Sequence, residues 1–147
     1  MSWFNYFGLG IMAIILIPNV VFAVKFPNAF QNTYKNKIII ALEQIARYGC
    51  FVFMIFNVPH TYVGFWFHKA TTVYLATNGV LLLAYVALWI ALRKKQVLRA
   101  YFLSIIPSVI FLFSGIMLLN VPLLIFSVVF AFFHVTVSLK NAYGKEK

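Results

Sequence analysis

The sequence predicts an all-α, polytopic transmembrane bundle of five helices, with the N-terminus outside and the C-terminus cytoplasmic. Three observations carry that expectation. Hydrophobic residues make up 64% of the 147 positions and charged residues only 10%, whereas a soluble domain keeps about a quarter of its residues charged to stay solvated. Ten of the twelve Lys and Arg residues fall in three clumps: Lys25/Lys35/Lys37, Arg93/Lys94/Lys95/Arg99 and Lys140/Lys145/Lys147. The apolar stretches around those clumps reach the roughly 20 residues that a helix needs to cross a hydrocarbon core.

The first helix is expected from Phe4 to Val24. No basic region precedes it and its first cation, Lys25, follows it, so it is read as a retained span and not as a cleaved signal. Pro18 removes a backbone donor inside this helix, and Asn19 can satisfy the carbonyl that is freed. The second helix is placed at Ile38–Val58. After it comes Pro59–Lys69, whose Tyr62, Phe65, Trp66 and Phe67 suit an outer interfacial belt. A longer second helix, kinked at Pro59 and running to Phe67, is the alternative; the shorter one is adopted.

The third helix is expected at Thr71–Leu92. The fourth follows at Leu98–Leu119, with Pro107 inside it. The fifth runs from Val121 to Leu139, and Pro122 suits its first turn. All loops are short, the longest inside one being Phe26–Asn36, so residues 1–147 are read as one transmembrane domain. Five crossings put the three clumps on one side and leave Lys69 outside. Four or six would split them, against the retention of Lys and Arg on the cytoplasmic side.

Glu43 and Glu146 are the only acids, and the formal charge is +10. In a soluble chain such a balance would point to nucleic acid; here it is assigned to cytoplasmic retention, and no nucleic-acid partner is expected. The lipid bilayer is the expected partner, and the basic loops would attract anionic headgroups. With Cys50 alone, neither an intramolecular disulfide nor a multi-cysteine metal site can form.

Helical periodicity gives each helix an inward face. Helix one offers Gly8, Met12, Ile15 and Asn19. Helix two offers Glu43, Arg47, Cys50, Met54 and Asn57, with Ile45, Val52 and Phe56 opposite. Helix three has Tyr74, Asn78, Tyr85 and Trp89, and helix four Ser104, Ser108, Phe111 and Gly115. Helix five has Ser127, Ala131, His134 and Ser138. Counting helical rise from the clumps places Asn19, Glu43 and His134 about 9 Å inside the basic boundary. Ser104 falls near that level and Arg47 one turn deeper. These five residues are the candidate polar pocket.

Two roles compete for Glu43. It could exchange protons with a substrate, or it could form an i,i+4 pair with Arg47 that lowers the cost of placing both charges in lipid. His134 is a candidate hydrogen-bonding residue. His60 and His68 belong near the outer face, and no metal or other cofactor is expected. Catalysis is not expected either: one intramembrane acid gives no carboxylate pair, and Ser104 with His134 has no orienting third group. The leading expectation is a small membrane protein that transports or binds a small molecule or ion at the polar inner-leaflet pocket. The alternative is a non-catalytic accessory, complex-subunit or immunity protein, and an intramembrane enzyme is third. Small residues at Gly115 and Gly79 could serve a homodimer or another membrane-protein partner. The expected location is a plasma membrane, bacterial inner membrane by its charge pattern.

Overall fold

The structure, a computed structural model, describes residues 3–25, 33–92 and 94–144. Most of the expected inner loop (26–32), Arg93, Lys145, Glu146 and Lys147 lie outside the described residues. The helices are α1 (Tyr6–Lys25), α2 (Lys37–Ile55), α3 (Ala70–Ala91), α4 (Gln96–Leu118) and α5 (Val121–Gly144). Each is long and apolar enough to span a membrane.

Three asparagines start helices by accepting orphan backbone N–H groups. Asn5 Oδ1 accepts from Gly8 N at 3.1 Å, Asn36 Oδ1 from Ile38 and Ile39 N at 3.1 and 3.3 Å, and Asn120 Oδ1 from Leu123 N at 3.1 Å. Asn120 also donates through Nδ2 to Phe53 O and to Asn57 Oδ1, both at 3.3 Å. It therefore joins the α4–α5 turn to the end of α2. Asn120→Ala is expected to cost about 0.5–2 kcal/mol of stability, the range for a lost cap, read as a lower midpoint in thermal unfolding in detergent.

α2 stops at Ile55, three residues before the boundary expected from hydropathy, because the chain there becomes extended and pairs with the N-terminal segment. Asn5 N donates to Ile55 O at 2.7 Å and Asn57 N to Trp3 O at 2.8 Å. Residues 57–69 are not helical and lie across that end of the bundle. Val63 and Gly64 N donate to Leu118 O, and Val121 N donates to Thr61 O. α5 continues five residues past the expected Leu139, with Ala142 buried and Lys140 and Tyr143 exposed. Asn141 Oδ1 in that extension accepts from Thr33 and Tyr34 N at 3.0 and 2.8 Å, pinning the segment before α2.

The helices form a closed ring in the order α1, α2, α5, α4, α3. Consecutive α2 and α3 are thus not ring neighbours. α4 is the most enclosed helix, buried from Leu103 to Leu118 on most of its faces. Between helices that span a membrane, lipid supplies no apolar driving force, and association then depends on close packing. Gly49 faces Phe126 and Gly115 faces Leu124, each too closely for an added methyl group to fit without displacement. The Gly115 face is therefore used within the chain and is not open to a second copy. Gly10 and Gly79 have open space beside them and flank a groove of about 300 Å³ between α1 and α3.

Candidate functional site

A cavity of about 640 Å³ lies inside the ring, lined by all five helices. It reaches the end of the bundle that carries Lys25, Lys37, Lys94, Lys95 and Lys140. Its deepest wall is aromatic: Phe51 from α2, Phe111 from α4 and Phe130 from α5. Phe111 meets Phe51 at 6.1 Å and Phe130 at 5.4 Å between ring centroids. Nearer the basic end come polar side chains, and at the mouth Phe22, Trp89, Gln96, Arg99 and Asn141.

Asn19, Glu43, Arg47, Ser104 and His134 all line this cavity, but they are not one hydrogen-bonded cluster. Glu43, Arg47 and His134 form the centre. Glu43 Oε1 pairs with the Arg47 guanidinium one helical turn along α2. The same oxygen contacts His134 Nδ1 from α5 at 2.8 Å. With the carboxylate ionised beside Arg47, Nδ1 carries the hydrogen and donates it. Glu43 is almost fully buried, whereas Arg47 is a third exposed and opens onto the cavity. The imidazole is further held by stacking on Phe130, 4.4 Å between centroids and 16° from parallel. Its Nε2 bonds to no described residue.

Asn19 stands apart from that centre. Its Nδ2 donates to Ile15 O at 2.9 Å and to Tyr85 Oη of α3 at 2.8 Å. The carbonyl that Pro18 frees belongs to Ile14. Asn19 thus does not repair the proline gap; it ties α1 to α3. Ser104 turns its hydroxyl back on its own helix and donates to Tyr101 O at 3.0 Å. Ser108 does the same to Ser104 O at 2.8 Å. Ser104 consequently has no hydrogen bond to His134, and the two do not form a nucleophile–base pair.

The charge pattern counts Arg99 with the basic clump at Lys94 and Lys95, yet this residue sits in the first turn of α4, which begins at Gln96 and carries it into the bundle. Its Cζ lies 4.9 Å from the Phe22 ring centroid and 5.9 Å from that of Trp89. Its signal was present in the spacing, since Arg99, Leu103, Pro107 and Phe111 recur every fourth residue along one face. Tyr85 and Trp89 were placed on an inward stripe without being joined to the pocket. Among the described residues, no three His, Cys, Asp or Glu side chains converge as a metal site would require.

Five apolar helices of this kind suggest a multi-pass membrane protein. No known protein family, curated protein or solved structure matches the chain.

Proposed function

We propose that the chain is a multi-pass membrane protein that binds, and on binding carries, a small molecule in the cavity at its basic end. The N-terminus then lies outside and the C-terminus in the cytoplasm, because Lys and Arg are retained on the cytoplasmic side. A bacterial inner membrane suits that charge pattern. The observation that carries the reading is a cavity of drug-ligand size, combining an apolar aromatic wall with a few convergent polar groups. Ionisable residues placed among transmembrane helices are costly, and the usual compensation is function.

A thermal-shift screen of the purified protein against hydrophobic metabolites, organic ions and metals tests it, with Ser138→Trp as a variant whose indole fills the mouth. A compound that raises the melting temperature of wild type by several degrees, but not that of the variant, supports cavity binding. Flat responses from well-folded wild type across the panel would sink it. A second reading, an accessory subunit or immunity protein, is favoured by the open groove beside Gly10 and Gly79. It predicts a partner that co-purifies and is released by Gly79→Leu.

A further inference from the structure

Given the binding reading above, a side opening of the cavity decides what can reach its centre. α1 meets α2 at the end away from the basic residues, where Gly8 stands against the Met54 carbonyl and Asn5 Nδ2 donates to Met54 O at 3.2 Å. Toward the basic end α1 leans on α3 instead: Asn19 donates to Tyr85 Oη at 2.8 Å, and Phe22 packs on Trp89 at 4.5 Å. Across the seam left there, Leu16 and Asn19 of α1 and Gln44 and Tyr48 of α2 line the cavity. Tyr48 is also 62% exposed on the bundle surface. A side chain that is both cavity wall and outer surface marks the rim of an opening. Helical rise from Lys37 sets Tyr48 about 16 Å inside the basic boundary, near the middle of a hydrocarbon core about 30 Å thick. The mouth among the basic residues thus faces water, and the seam faces lipid.

The centre behind the seam sets the chemistry of the head group. The Glu43 and Arg47 charges cancel. An ammonium brought to it would stand beside the guanidinium, and a carboxylate or phosphate beside the carboxylate. Either ion would also have to cross hydrocarbon to arrive, which is costly. An uncharged head meets neither obstacle. Arg47 is a third exposed and opens onto the cavity, and a guanidinium has more N–H donors than its bond to Glu43 uses. His134 gives its Nδ1 hydrogen to Glu43, which leaves Nε2 as an acceptor. A donor beside an acceptor is the complement of a hydroxyl group, which does both. We propose that the ligand is an uncharged, hydroxyl-headed lipid of the cytoplasmic leaflet. Its head enters between α1 and α2 and pairs with Arg47 and His134, while its chain trails past Tyr48 into the bilayer.

Photo-crosslinking of the purified protein in phosphatidylcholine nanodiscs tests this. The probe is hexadecanol carrying a mid-chain diazirine. The competitors are hexadecanol, its methyl ether, hexadecanoate and hexadecyltrimethylammonium, compared at equal mole fraction in the bilayer. Saturable adducts are expected on Leu16, Gln44 or Tyr48. Hexadecanol should compete about tenfold better than the other three, the effect of one buried hydrogen-bonding group left unpaired. Glu43→Gln combined with Arg47→Met removes the donor without leaving a lone charge and should abolish that preference. Arg47→Lys should keep most of it, which separates a lost donor from lost folding.

Saturable adducts confined to Gln96 and Asn141 at the mouth would overturn entry through the seam. A methyl ether or an ion that competes as well as the alcohol would overturn the hydroxyl head, and so would a preference that survives the double variant. No saturable adduct on any lining residue would overturn the lipid ligand altogether. The thermal-shift screen with water-soluble compounds decides the cavity reading separately.

Discussion

Replacing Glu43 with alanine is expected to lower stability by about 3 kcal/mol, roughly a hundredfold in the folding equilibrium. The substitution leaves the Arg47 guanidinium and the His134 Nδ1–H without their shared acceptor. Removing one member of a buried ion pair costs about 3–5 kcal/mol. The lower end applies because Arg47 is a third exposed to the cavity and can turn toward water. Glu43→Gln should cost less, since its amide oxygen can still accept from His134. The decisive variant combines Glu43→Gln with Arg47→Met. Taking both charges out of an apolar site is often neutral or stabilising, so the double variant should recover most of the loss. Equilibrium unfolding of wild type, Glu43→Gln, Arg47→Met and the double variant in mixed SDS and mild-detergent micelles closes a double-mutant cycle. A cost under about 1 kcal/mol for Glu43→Ala would show that the pair does not hold the bundle together. Ligand binding then separates the roles: a folded Glu43→Gln protein that no longer binds assigns the carboxylate to function.

Much of this centre was legible because two periodicities carry it. The 3.6-residue repeat puts Glu43, Arg47, Cys50 and Met54 on one face, and in the structure Glu43, Cys50 and Met54 are buried while Ile45 and Val52 are exposed. Helical rise counted from Lys37 and Lys140 sets Glu43 and His134 at one depth, where their side chains touch at 2.8 Å. Neither periodicity states which helix stands beside which. The contact of α2 with α5, which makes that bond, depends on shape: Gly49 receives Phe126, and Asn120 reaches Phe53 and Asn57. Composition also misassigns residues at helix ends. A cation next to a loop reads as loop charge, so Arg99 was counted with Lys94 and Lys95 although its rings, Phe22 and Trp89, belong to the cavity. The same bias shortened α5, whose polar last turns pack through Ala142 and Asn141.

Gly8→Val is expected to be the most damaging single substitution in α1. A Cβ at this position would stand 1.9 Å from Met54 O and 2.8 Å from Asn5 Nδ2. The first of these neighbours is main chain and cannot swing aside. α1 would have to withdraw from α2, and with it would go the bonds of Asn5 to Met54 O at 3.2 Å, Asn5 N to Ile55 O at 2.7 Å and Asn57 N to Trp3 O at 2.8 Å. Overpacking alone costs about 1–3 kcal/mol, and each backbone bond lost in an apolar setting adds about 1 kcal/mol, so a loss of at least about 3 kcal/mol is expected. Gly10, two residues along the same helix, has open space beside it. Gly10→Ala should instead be neutral or stabilise by up to about 1 kcal/mol, through reduced backbone entropy and better helix propensity. Measured together by thermal unfolding, the pair isolates the close approach from any general effect of substituting α1. Equal behaviour of the two would mean that α1 does not dock against the Met54 carbonyl. The consequence reaches the cavity as well, because α1 supplies Asn19 and Phe22 to its wall. In a Trp3→Phe, Trp66→Phe background, where Trp89 is the one remaining tryptophan, any Gly8→Val protein that remains folded should show an emission shifted to the red, since Phe22 packs on Trp89 at 4.5 Å and its withdrawal lets water reach the indole.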